Sequence, residues 1–199
     1  GGLTVLRELV ALIPDADYLY FGDTARLPYG SKSADTVARY AVGATNYLES
    51  HGAEMLVVAC NTATALALAQ ICASAHVPVI GVVEPGAESA ASTTMSRKVS
   101  VIATDATVSS HAYFRALQAR GIEAREKACP LLVPLVEEGR DEGDAVVKLA
   151  VQQYLHPLAA RGVDVLVLGC THYTPLKNLI QMTVGKRTIR AKLRGKEAA

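Results

Sequence analysis

Two cysteines, Cys60 and Cys170, occupy equivalent places in a stretch that occurs twice. Residues 52–64 read GAEMLVVACNTAT and residues 162–174 read GVDVLVLGCTHYT. Both run Gly, an acidic residue two positions on, Leu-Val, then Cys, a polar pair, and a Thr. A free thiol has a pKa near 8.5, so on the order of a tenth is thiolate at pH 7.5, and a helix N-terminus raises that fraction. One thiolate takes a proton and one thiol gives one. Placed on opposite faces of a carbon, the pair would remove a proton on one side and deliver one on the other, inverting the configuration.

The neighbours suit that task. Asn61, Thr62, Thr171 and His172 bring amide, hydroxyl and imidazole groups, with backbone N–H groups, to bind a carboxylate and move protons near each thiol. No GxGxxG follows a strand and there is no Walker A sequence, so dinucleotide and triphosphate enzymes are disfavoured and no cofactor is expected. Cys170-x-His172 could suggest metal ligands, but no second cluster has fitting spacing. Cys72, on an Ala-rich helix, and Cys129, before Pro130, read as packing residues.

The thiols need elements that place them. Each follows a short apolar run suited to a strand buried in a parallel sheet, and precedes small polar residues suited to opening a helix. Ligands bind at that carboxyl edge in open α/β sheets. Leu3, Leu6, Leu9, Val10 and Ile13 recur at helical spacing until Pro14, and a helix entered through glycines predicts a preceding strand. Residues 17–21 (DYLYF) read as a strand, followed by the loop GDTARLPYGSKS, too long for a simple connection. Ser33 is placed to cap a helix burying Val37, Ala41, Ala44, Tyr47 and Leu48. A helix over 63–75 and a strand over 78–83 follow; Pro85-Gly86 and the small residues to Thr94 read as a hinge. Strand 99–103, helix 107–120, strand 122–128, a short helical segment at LLVPLVEEG and a helix over 143–161 lead to the second cysteine strand.

The alternation predicts two similar parallel-sheet α/β domains with the site in the cleft between them: 1–84, 85–185, and a basic tail over 186–199. That tail carries +5, leaving −4 on the preceding 185 residues, so the body is no polyanion binder. Such runs are usually solvated ends, and nucleic acid is not an expected partner, contact through the tail being a third reading left open. No apolar run approaches the roughly 18 to 20 residues needed to span a bilayer, and no secretory signal opens the chain. Four scattered cysteines fit a reducing cytoplasm better than a disulfide framework.

In their order, YFGDTARLPYGSKS, VVACNTATA, GVVEPGA, VPLVEEG and LGCTH resemble the motifs of the bacterial glutamate racemase family, from Gly1 to about Gly185. VACNT or GCTH alone would point only to the wider aspartate/glutamate racemase superfamily. The resemblance implies cofactor-independent interconversion of L- and D-glutamate in the cytoplasm, supplying D-glutamate to peptidoglycan, and leaves a homodimer open. It implies that Cys60 and Cys170 are the acid/base thiols and that Tyr29, Gly30, Asn61, Thr62, Thr171 and His172 contact substrate. Glu137 and His172 match residues that assist proton transfer, and Asp23 matches a further acid of the loop. Three departures stand out. The family's opening strand, ending in an Asp-Ser pair, is absent before the glycines; Thr174 replaces a usual Pro; and the basic tail stands where a final strand and helix are expected. Two alternatives stay open: an aspartate or hydantoin racemase, and a non-catalytic ligand-binding derivative.

Overall fold

The computed structural model describes residues 2–159, 163–185 and 189–191. Two parallel sheets organise it. The first pairs β1 (Leu56–Val58) with β2 (Val79–Gly81). The second has the order β4-β3-β5-β6, from β3 (Lys98–Ala103), β4 (Glu123–Ala128), β5 (Val165–Gly169) and β6 (Ile189–Ala191). The β3–β5 register ends at Ala103↔Gly169, so Thr104 and Cys170 emerge side by side from adjacent strands. The chain passes from β3 to β4 on one side and then crosses to β5 on the other, which makes this edge a topological switch point.

Helices α1 (Leu3–Leu12), α2 (Ala34–Ser50) and α3 (Asn61–Ser74) accompany the first sheet, and its core is small: Val37, Ala41, Ala63, Ala67 and Ile71. Ser33 caps α2 by accepting from the Thr36 N–H. Around the second sheet lie α4 (Val83–Thr93), α5 (Asp105–Ser109), α6 (Ala112–Gln118), α7 (Leu132–Glu137), α8 (Ala145–Ala159) and α9 (Lys177–Val184). One face of that sheet packs with Val83, Ala87, Tyr113 and Leu117, the other with Leu132, Leu155, Tyr173 and Ile180. Burying side chains on both faces makes this the heavier half.

Six sequence expectations need correction. Residues 17–21 are extended but form no strand, and their side chains are exposed. β-propensity becomes a strand only with a ladder partner; β1 bonds to β2, and among the described residues no strand reaches 17–21. Tyr18 instead donates its hydroxyl to the carbonyls of Leu9 and Ile13. The supposed hinge after Val83 is the helix α4, with Pro85 in its first turn, where its missing N–H costs no intrahelical bond. The single helix over 107–120 is two, because Ser110 bonds the Thr107 carbonyl and then accepts from Ala112 N while His111 turns left-handed (φ 53°). Within the basic tail, Ile189–Ala191 pair with β5 as β6; the rest of that segment lies outside the described residues. Cys72 is exposed, and Tyr47 stays half-exposed with its ring against Phe21 and His51 instead of in the core, whereas Cys129 is fully buried in the core. No helix among the described residues is long and apolar enough to cross a membrane.

Candidate active site

A cavity of about 1020 Å³ opens between the carboxyl edges of the two sheets and is lined by all ten residues named from the sequence: Asp23, Tyr29, Gly30, Cys60, Asn61, Thr62, Glu137, Cys170, Thr171 and His172. It continues past the thiols to an apolar end walled by Leu6, Leu9, Leu19 and Val57.

Cys60 follows β1 and is the N-cap of α3, its Sγ accepting from the Ala63 N–H at 3.4 Å. Desolvation pushes this thiol above its ordinary pKa, opposed by the N–H groups of Ala63 and Thr62. Cys170 follows β5 and opens a 3₁₀ turn (Thr171–Leu176) without a side-chain cap bond. It is only 7% exposed, and burial, with a smaller contribution from charge on Cys60, pushes its pKa up to about 12 against the pull of the His172 N–H. The expected lowering by helix termini is therefore outweighed: burial wins at both thiols.

A chain of polar contacts leads from Cys170 to the surface. His172 Nδ1 lies 3.7 Å from Cys170 Sγ, and His172 Nε2 lies 2.5 Å from a carboxylate oxygen of Glu137, the half-exposed last residue of α7. On the opposite wall the Tyr29 hydroxyl donates to Asp23 at 2.5 Å, with Arg26 3.4 Å from the same oxygen. Burial and the bond to Asp23 raise the Tyr29 pKa, so its phenol stays neutral. Gly30 lets this loop touch the second half: a Cβ there would lie 2.6 Å from Thr104. Among the described residues, no group of three or more His, Cys, Asp or Glu is placed to hold a metal ion.

The family model for Asp/Glu/Hydantoin racemase matches residues 2–191. The chain belongs to the Asp/Glu/hydantoin racemase family. Among curated relatives, it is similar to the glutamate racemase of Koribacter versatilis, with 62% identity over 187 residues, 92% of this chain and 64% of that protein. The chain thus spans less than two thirds of that racemase's length. Among solved structures, it resembles a glutamate racemase isoform of Bacillus anthracis (TM-score 0.91, 37% identity, 96% of this chain, 73% of that chain). It also resembles the Francisella tularensis glutamate racemase in complex with D-glutamate (TM-score 0.88, 33% identity, 96% of this chain, 72% of that chain).

The racemase motifs leave three side chains of this site unnoticed. Thr104, directly after β3, lines the cavity, and its hydroxyl lies 2.9 Å from that of Thr62 and 3.0 Å from that of Thr107; Thr62 and Thr107 are 3.2 Å apart. All three are buried. The signal was available, since Thr104 ends a strand as Cys60 and Cys170 do. The third, Tyr113, comes from α6 and donates to Asn61 Oδ1 at 2.7 Å; nothing in its local sequence marks it.

Proposed function

We propose that the site racemises glutamate by direct two-base exchange of the α-proton, with Cys60 and Cys170 as the two acid/base groups. The observation that carries this is the placement of both thiols, from the ends of strands in different sheets, on the wall of one cavity. The substrate carboxylate finds N–H donors at the start of α3 and at Thr171, and its Cα lies between the sulfurs. One thiolate takes the α-proton while the other thiol gives its proton to the opposite face. Each passage leaves the two cysteines with their protonation exchanged.

The raised thiol pKa values fit this chemistry. Removing a weakly acidic α-proton needs a strong base, and a thiolate formed against a high pKa is the stronger one, though less populated. His172, bonded to Glu137, takes the Cys170 proton to generate it. Asp23, held between Tyr29 and Arg26, supports the wall nearer Cys60. The four free cysteines agree with a reducing cytoplasm, where the D-glutamate formed would serve peptidoglycan assembly and hence cell shape. The amino acid bound by the Francisella relative and the GDTARLPYG loop favour glutamate over aspartate or a hydantoin.

Incubation with either glutamate enantiomer in D₂O is expected to yield both, with deuterium at Cα of the newly formed one. Turnover of aspartate or a hydantoin but not glutamate would move the assignment within the family. Glutamate binding without isotope exchange would replace it with a non-catalytic binding role.

A further inference from the structure

We propose that Tyr113 is a positioning residue for this site: its hydroxyl holds the Asn61 side-chain amide by the carbonyl end and leaves the NH₂ end to face the cavity. This rests on the racemase reading above. Tyr113 belongs to the core of the second sheet and is 2% exposed, whereas Asn61 opens α3 beside Cys60. The 2.7 Å bond between them therefore crosses from one half of the molecule to the other.

An asparagine amide has two ends of similar shape and opposite polarity, and only its partners decide which end points where. A buried phenol decides it well. Desolvation raises the Tyr113 pKa, so the hydroxyl keeps its proton, and its donation to Oδ1 fixes the polarity of the amide.

The ring is held on two sides by missing side chains. A Cβ at Gly86 would stand 2.9 Å from the Tyr113 hydroxyl, and a Cβ at Gly169 would stand 3.2 Å from Cε2 of the ring. Gly169 immediately precedes Cys170, and Asn61 immediately follows Cys60. One aromatic side chain thus rests beneath the second thiol's strand while its tip sets a donor beside the first. Displacing it by a few tenths of an ångström would alter the half-site across the cleft.

Two variants of the full chain test this. Tyr113→Phe keeps the ring and removes the donor; Gly86→Ala keeps the tyrosine and pushes its hydroxyl. Both are expected to raise the KM for glutamate about ten-fold with kcat little changed, as for lost binding of ground and transition states alike. The Asn61 side-chain NH₂ signals in a ¹⁵N-correlated spectrum, identified by their loss in Asn61→Ala, are expected to shift in both. A lower melting temperature with unchanged KM and unmoved Asn61 signals would reduce Tyr113 to a packing residue and overturn the proposal. Shifted signals with unchanged KM would overturn it too. If the wild-type chain neither binds nor turns over glutamate, the racemase reading fails, and the Asn61 signals alone decide: moved in both variants, the tyrosine sets the amide; unmoved, it does not.

Discussion

The two cysteine segments share a sequence pattern and differ in almost everything around it. Among the described residues, β1 has three residues and one neighbour, and β5 has five residues and two neighbours. Cys60 caps a fourteen-residue helix, whereas Cys170 begins a 3₁₀ turn interrupted by Pro175. The acidic residues at equivalent positions diverge as well. Glu54 is exposed, while Asp164 binds the Thr94 hydroxyl and the N–H groups of Met95 and Ser96, fastening the end of α4 to the start of β5. Desolvation works against that carboxylate, but these bonds outweigh it and bring its pKa down to about 2. Local sequence puts a thiol at the end of a strand; the neighbours decide what sort of acid or base it becomes.

The comparison sharpens if both thiols prove necessary despite these unequal surroundings. If the proposed two-base exchange holds, Cys60→Ala and Cys170→Ala should each lower racemisation by about 10³-fold or more; a large loss in only one variant would point to a one-base mechanism. His172→Gln and Glu137→Gln act on the Cys170 side alone. Each should cost about ten- to a hundred-fold in kcat, and tritium or deuterium washout by the Cys60 face should persist.

The thiols also predict a pH signature of stability. Burial pushes the Cys129 and Cys170 thiols up to about 12 in the folded chain, well above an ordinary thiol, because it disfavours the thiolate. Above about 9 the unfolded chain releases these protons and the folded chain keeps them, so stability present at neutral pH should fall as pH rises from 9 toward 12. Cys129→Val should flatten that fall without touching activity, measured by thermal melts across the range. The smallest effect concerns the acidic pair. Asp164→Ala should cost about 1–2 kcal/mol by denaturant titration, and Glu54→Ala less than about 0.5 kcal/mol. Equal costs would mean that the two positions are more alike than their contacts suggest.

The sequence was most readable where periodicity and a local cap coincide. Ser33 and α2, and the alternation that builds the second sheet, follow from residues next to one another. Of the ten named residues that line the cavity, the two cysteines and the polar residues that follow them lie in short motifs at strand ends and could be picked out locally, whereas Asp23, Tyr29, Gly30 and Glu137 came only from the family resemblance. What escaped depended on distant partners. Residues 17–21 have the composition of a strand but no ladder; the thiols sit at helix starts but are governed by burial. Tyr113 is an ordinary helical aromatic until α6 is set against α3. Hydrogen bonds across 52 residues, such as that from Tyr113 to Asn61, leave no mark on spacing.

Thr62, Thr104 and Thr107 touch one another in all three pairings, and three hydroxyls bring three protons. With one proton in each contact the triangle is closed, circulating in one sense or the other, and a Thr62 proton turned toward Cys60 leaves one side open. A carboxylate asking Thr62 for a hydrogen bond must then open the triangle and free a side of the tie between α3 and the end of β3. Affinity for such a ligand and the freedom of the two walls to move apart are, on this account, one thermodynamic quantity seen from two sides.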